Sequence, residues 1–407
     1  MVPFPMPRVP TAMRSFLVCC LALSALPAAA APPVVSNVRA SQVPGTGYVD
    51  IYYDLSDPDG GTMTIEVRVS SDGGLTYSVP ATSLTGAVGS GVAIGSNKLA
   101  RWNAGTDFGG NFIERCKVRI TATDGNLPSA PAGMMAIPAG YFQMGDTLDG
   151  AGSPTANILI SQFYIDRTEV SKGKWDEVRT WAAGNGYTDL ATGSSFNGAL
   201  HPVHRITWYD AVKWCNARSQ KEGLAPCYYT NAAKTSGYIY RTGSTTLTAD
   251  MVDWNANGYR LPTESEWEKA ARGGFTGRRF PWGTDTITHL QASYYSSTGY
   301  AYDISATRGY HPTYGSGTTA PCGSFAANGY GLYDMAGNLW EWCWDWFGGT
   351  LGTPSATNPT GPASGSNRVL RGGSWSDDAN YARCSDRNIN AGPGDYHIVF
   401  GFRSVRR

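Results

Sequence analysis

The chain lacks an excess of charge of either sign. Lys plus Arg and Asp plus Glu number 32 each, and charged residues are only 16% of its 407 positions. That balance leaves no net field to favour nucleic acid or an anionic membrane. Also missing are the short motifs of common hydrolases and nucleotide enzymes: no G-x-S-x-G, no H-E-x-x-H and no phosphate-loop lysine motif occurs. Histidine is sparse, with His201, His204, His289, His311 and His397 scattered along the chain. His201 and His204 stand close together without a third ligand nearby, so satisfied loop histidines are expected there. No repeat of solenoid period and no coiled-coil heptad is present.

What the chain has instead is Gly, at 50 positions, with 23 Tyr and 13 Trp. That composition suits an all-β or irregular fold rich in turns, with few long surface helices. The length is enough for two or three domains. The one apolar run near a terminus spans residues 16–26, follows Arg8 and Arg14, and precedes Ala28, Ala29 and Ala30. This is the layout of a cleavable export signal over residues 1–30, with cleavage after Ala30 favoured over Ala31, which would leave Pro32 first. The run is too short to span a bilayer comfortably. A secreted or periplasmic protein without stable membrane insertion is expected. Export makes disulfides permissible for Cys116, Cys215, Cys227, Cys322, Cys343 and Cys384, but their connectivity is not readable from spacing. Cys116, alone in its part of the chain, is expected to be a buried free thiol.

Residues 32–125 read as a β-sandwich module of immunoglobulin or fibronectin type. Residues 48–55 and 63–71 alternate apolar and polar side chains around the turn signal DPDGG, and residues 116–125 repeat the alternation. The Gly-rich run 86–95 reads as a hairpin loop. Asp57, Asp59 and Asp124 are a candidate calcium set at a domain junction, with plain turn chemistry favoured. Residues 126–133, NLPSAPAG, form a linker. A second domain follows over residues 134–407. A helix capped near Ser171 is expected, and a better one over residues 207–219, where Trp208, Ala211, Val212 and Cys215 fall on one face. A third starts at a capping box made by Thr263 and Glu266, buries Trp267, Ala270 and Ala271, and exits at Gly273. Beyond Gly274 little regular structure is expected; aromatic-rich loops of this length pack as ordered structure around a site.

The densest stretch is residues 328–346, NGYGLYDMAGNLWEWCWDW. Carboxylates and amides between glycines suit a hard cation, because glycines let carbonyls turn inward. The competing reading is a buried aromatic corner whose polar groups satisfy each other. With NGYRLPTESEWEKAARGG upstream (257–274), RFPWG (279–283), RVLRGGSW (368–375) and the closing GFR (401–403), the chain from about Met134 onward resembles the formylglycine-generating-enzyme, or sulfatase-modifying-factor, family.

The resemblance implies an α+β, C-type-lectin-like fold: a small sheet, two or three helices and much ordered loop. It also implies calcium bound by Asp334, the Gly337 and Leu339 carbonyls, and Glu341. A second family calcium site has Ser293 in place of its Asn and its acidic partner near Tyr314. The family's enzymes oxidise a sulfatase cysteine with O₂ and copper held by two cysteine thiolates; counted from RGGS, those positions are Asp377 and Ala382 here. Neither can bind Cu(I), which wants soft ligands, so no residue is assigned a catalytic role and copper is not expected. Cys384 matches a structural cysteine whose usual disulfide partner falls on Ala271. Trp340, Ser374 and Tyr381 match residues lining the substrate cleft, with Asp377 beside them as a candidate for a cation or basic ligand. The expected function is a non-catalytic, calcium-stabilised recognition or scaffold module taking an extracellular or periplasmic protein, peptide or glycan. Two alternatives stand beside it: a formylglycine-generating oxidase whose dithiolate is rebuilt from Cys384 with Cys343 or Cys322, and a different oxidoreductase on the same fold.

Overall fold

The computed structural model describes residues 33–58, 60–71, 79–109, 115–123, 130–148, 156–315, 317–348, 356–388 and 390–407. The export signal, Asp59, Asp124 and linker residues 126–129 lie outside the described residues.

The first part is built from β1 (Val34–Gln42), β2 (Tyr48–Ser56), β3 (Thr62–Ser70), β4 (Leu84–Gly86), β5 (Gly89–Ala93), β6 (Gly95–Asn103), a single helical turn α1 (Ala104–Asp107) and β7 (Lys117–Thr123). Two sheets result, ordered β1-β2-β6-β4 and β5-β3-β7, with antiparallel neighbours throughout. Alternation does what a pleat requires: Met63, Ile65, Val67 and Val69 of β3 point inward and meet Ile51, Tyr53, Ala100, Trp102 and Ile120 in one core. The Gly-rich run differs from the expected hairpin loop. It forms the short strands β4 and β5, which pair with β6 and β3 and so carry the chain from one sheet to the other. Cys116 also departs from expectation: it is exposed, at the mouth of β7 rather than in the core.

The second part holds β8 (Met134–Ile137), β9 (Gly140–Met144), β10 (Ala156–Ile160), β11 (Phe163–Asp166), α2 (Lys172–Ala183), α3 (Trp208–Lys221), α4 (Glu264–Ala271), β12 (Trp340–Trp346), β13 (Arg368–Arg371), β14 (Phe400–Gly401) and β15 (Val405–Arg406). Its sheets are small: β10-β9, β15-β11-β8 and β13-β12-β14. Ser171 caps α2 by accepting from the Lys174 amide. Both α3 and α4 start at capping boxes, Thr207 with Asp210 and Thr263 with Glu266. Each box satisfies two amides the first turn would leave bare, an effect of about 1 kcal/mol. The apolar face expected for α3 is fully buried, and its Trp214 stacks on Trp175 of α2 at 5.8 Å with Phe402 edge-on to both.

Strand β12 separates two cores. Every residue of it is buried. Trp340, Trp342 and Trp344 enter the cluster around α2 and α3, whereas Cys343 faces the other way, into the cluster with Trp267, Met335 and Cys384. The tryptophan run is therefore core, arranged by strand periodicity. Among the described residues no helix is long and apolar enough to cross a membrane.

Candidate functional site

The loop entering β12 is held from several sides. Asp334, Gly337 and Asn338 all take positive φ, at 56°, 73° and 63°. A side chain at Gly337 would strike the Ser293 carbonyl, which an added Cβ would approach to 2.1 Å, so only glycine fits. The Gly337 amide donates to the Gly372 carbonyl at 2.8 Å and the Asn338 amide to the Ser293 carbonyl at 2.8 Å. Asn338 Oδ1 accepts from the Ala320 amide, and its Nδ2 donates to Glu169 Oε2 at 2.7 Å. Glu169 Oε1 takes the Leu339 amide at 3.0 Å.

The charges inside this loop do not balance. Glu341 accepts from Arg403 through both oxygens, at 2.6 and 2.7 Å, and from Trp267 Nε1 at 2.8 Å. Arg403 also donates to the Tyr333 carbonyl at 3.0 Å. Asp334 Oδ2 accepts the Gly323 amide at 2.6 Å, but its Oδ1 is buried with no partner. Glu169, Asp334 and Glu341 thus press three carboxylates around one guanidinium. Burial, reinforced by Glu341, raises Asp334 to about 6, although the Gly323 amide and Arg403 oppose the rise. Burial first, then Asp334 and Glu341, pushes Glu169 well above the carboxylate range. A buried carboxylate oxygen without a partner costs free energy unless a proton or a cation reaches it.

Of the four positions expected to hold calcium, Asp334, Gly337 and Leu339 lie in the loop entering β12, and Glu341 is among the first residues of β12 itself. The structure adds Glu169 and Arg403, which sequence reasoning gave no role. The closing GFR is a motif in sequence, but nothing local shows that Arg403 enters this loop. Glu169 carried no signal beyond being an acid between a strand and a helix cap. Among the described residues, no three His, Cys, Asp or Glu side chains form a metal-holding group. The position offered for the second calcium site holds no such cluster: Ser293 is buried and its carbonyl serves Asn338, while Tyr314 packs on His311 at 4.6 Å and on Phe325.

The neighbouring loop after β13 brings together the four cleft residues. Trp340 Nε1 donates to Asp377 Oδ2 at 2.8 Å, and the Ser374 hydroxyl donates to the same oxygen. The Tyr381 ring meets Trp340 edge-on at 5.9 Å. Trp340 and Ser374 are buried and Asp377 is partly buried, whereas Tyr381 is 41% exposed and is the most open of the four. Burial raises Asp377 from the ordinary carboxylate range, against the hydrogen bonds from Ser374 and Trp340. Ala382 is buried beside the positive-φ Gly373. No thiol stands in this loop. Cys384 lies in the core behind it, pushed up to about 12 by burial, and burial also raises Cys343 and Cys322 well above the ordinary thiol. The six described cysteines are all free thiols.

This arrangement coincides with a family relationship. The family described as Sulfatase-modifying factor enzyme 1-like domain matches residues 122–407. The chain belongs to that family. Among relatives, the formylglycine-generating enzyme of Bos taurus is 33% identical over 312 residues, covering 69% of this chain and 76% of the bovine protein. The chaperone protein LppX of Paenibacillus barcinonensis is 34% identical over 235 residues, or 56% of this chain and 75% of LppX. Among solved structures, Treponema denticola variable protein 1 superposes with a TM-score of 0.53 at 34% identity, covering 67% of this chain and 94% of its own. The α+β sulfatase-modifying-factor fold expected from the motifs is thereby established for the second part. Relatives of one family include proteins named as enzymes and one named as a chaperone, so membership fixes the scaffold and leaves the chemistry to the site.

Proposed function

We propose that this protein uses a sulfatase-modifying-factor scaffold for recognition, without copper oxidation, in an exported setting. The observation that carries the reading is the state of the 374–382 loop. Where two thiolates would hold copper stand Asp377, whose carboxylate is engaged by Trp340 and Ser374, and the buried Ala382. These residues do not fit a soft Cu(I) ion. Rebuilding the pair from Cys384 with Cys343 would require two thiols that burial keeps protonated, and thiolates, not thiols, bind metal. Trp340, Ser374, Asp377 and Tyr381 are then left as the wall of a ligand cleft for a protein, peptide or glycan, with Tyr381 the exposed contact.

Calcium belongs to the same proposal, at the other loop. Asp334 Oδ1 is buried and unpartnered, and the carboxylate surplus around Arg403 amounts to the charge a divalent cation carries. Asp334, the Gly337 and Leu339 carbonyls and one Glu341 oxygen would hold it, with Arg403 sharing Glu341. Bound calcium would fix the turn and, through the Gly337–Gly372 and Asn338–Trp375 backbone bonds, the start of the cleft loop. The deciding experiment is Cu(I) titration of the mature protein with O₂ uptake measured on a sulfatase-type cysteine peptide. No copper binding and no uptake are expected. Tight copper binding with peptide oxidation would overturn the reading in favour of an oxidase.

A further inference from the structure

A second site lies away from both loops, where the two parts of the chain meet. A cavity of about 310 Å³ opens between β3 and β7 of the sandwich and the β8–β9 turn, α4 and the 274–276 loop of the second part. The Arg119 guanidinium from the sandwich lies 3.1 Å over the Tyr141 ring at its rim. Tyr141, Phe142, Phe275 and Tyr330 give it an aromatic wall.

Its floor carries an unusual cation. Lys269 of α4 is only 4% exposed, and its Nζ makes one hydrogen bond, to the Gly140 carbonyl at 2.8 Å. Two of the cations around it have carboxylate partners, Arg272 bound by Glu268 at 2.6 Å and Arg68 by Glu66 at 2.8 Å, while Arg119 lies on the Tyr141 ring. No carboxylate lies within ion-pair distance of Lys269 among the described residues. Burial alone lowers its amine to about 7. A buried ammonium without a counter-charge is costly, and an anion arriving in the cavity would supply what the fold omits. Pockets of this size with aromatic side chains and a few polar groups in their lining are typical of small-molecule sites, and they favour domain junctions.

The geometry points to this cavity as a binding site for a small organic anion, a carboxylate or phosphate ester on an aromatic body, with its charged group seated on the Lys269 amine. The aromatic wall takes the body of the ligand, and because both parts of the chain line the cavity, occupation would bridge them. The reading is independent of the calcium and cleft loops.

The other titratable or charged groups facing the cavity are Glu66, Arg68, Arg119, Tyr141, Arg272 and Tyr330. Carboxylates, guanidinium groups and phenols ordinarily titrate outside pH 7–9, so proton uptake on binding in that range reports on Lys269. The test is calorimetric titration of the full mature chain with benzoate, phenyl phosphate and, as a neutral control, benzyl alcohol. Saturable one-to-one binding of at least one of the two anions, absent for benzyl alcohol, is expected, with K269M weakening it at least tenfold. Benzoate affinity should fall as pH rises from 7 to 9, approaching about tenfold per unit because each ligand must bring a proton to the amine. Repeating the titration at pH 8 in two buffers of different ionisation enthalpy measures that proton directly, and needs no variant should K269M fail to fold. Failure of both anions to bind, equal binding of the alcohol, K269M binding as well as the unaltered chain, or no proton taken up at pH 8 would each overturn the assignment.

Discussion

Two loops of one domain differ in their chemistry. The 334–341 loop retains buried acids in excess, an orphaned Asp334 oxygen, and a glycine that nothing else can replace. The 374–382 loop has Asp377 answered by an indole and a hydroxyl and a methyl group where a second soft ligand would stand, and it too leaves buried atoms without partners, Trp375 Nε1 and Asp378 Oδ1. On the reading proposed above, this difference separates a calcium loop from a recognition loop that holds no copper.

Breaking the charge cluster gives the largest effect. Arg403→Met should destabilise the protein by about 3–5 kcal/mol in urea unfolding, because it strands the buried Glu341 carboxylate. A loss below 1 kcal/mol would mean the cluster does not depend on Arg403. Next comes Asp334→Asn, aimed at the orphaned oxygen. Calcium at 100 times its Kd should stabilise the unaltered protein by about 2.7 kcal/mol, and the variant should show equal melting curves in calcium and in chelator. Equal curves for the unaltered protein would remove calcium from the account.

The cleft loop can be tested by restoring what it lacks. The double variant Asp377→Cys, Ala382→Cys should gain Cu(I) binding that the unaltered protein lacks, at a stability cost of about 1–3 kcal/mol from unpairing the Trp340 indole. If the restored pair binds no copper, the loop backbone has drifted further than its hydrogen bonds suggest.

The smallest effect, taken over one pH unit, concerns Asp345, on the strand that continues from the first loop. Burial, then Glu264, raises it to about 8, while its carboxylate accepts the Glu264 amide at 2.7 Å. A carboxyl whose folded pKa lies above its unfolded value of 3.8 holds a proton that the unfolded chain has released. It therefore removes stability as pH rises from about 4 to 8, by at most about 1.4 kcal/mol per unit. Asp345→Asn should flatten that fall between pH 6 and 7 in denaturant titrations; an unchanged slope would assign it to other groups.

The helices were legible because their signals are local. Thr263 and Glu266 make a capping box from adjacent sequence, and the Trp208-to-Cys215 face follows from helical spacing alone. The family fold was legible because several motifs occur in one order. The Gly-rich run reads as a loop because glycine hides strand alternation: β5 is Gly-Ser-Gly-Val-Ala, too few side chains for its pairing with β3 to show in sequence. Glu169 and Arg403 were missed for a different reason. Each reaches the 334–341 loop from a distant part of the chain, 169 and 62 positions away at their nearest hydrogen bonds. Convergence of that kind is written in tertiary packing, and no local period announces it.

The most direct test of the separation between the loops is the metal content of one sample. The mature protein would be loaded with both Ca²⁺ and Cu(I), passed through a desalting column and analysed by elemental mass spectrometry. About one calcium per chain with no stoichiometric copper is the predicted result. Stoichiometric copper without calcium would contradict the account, reversing which loop keeps its metal.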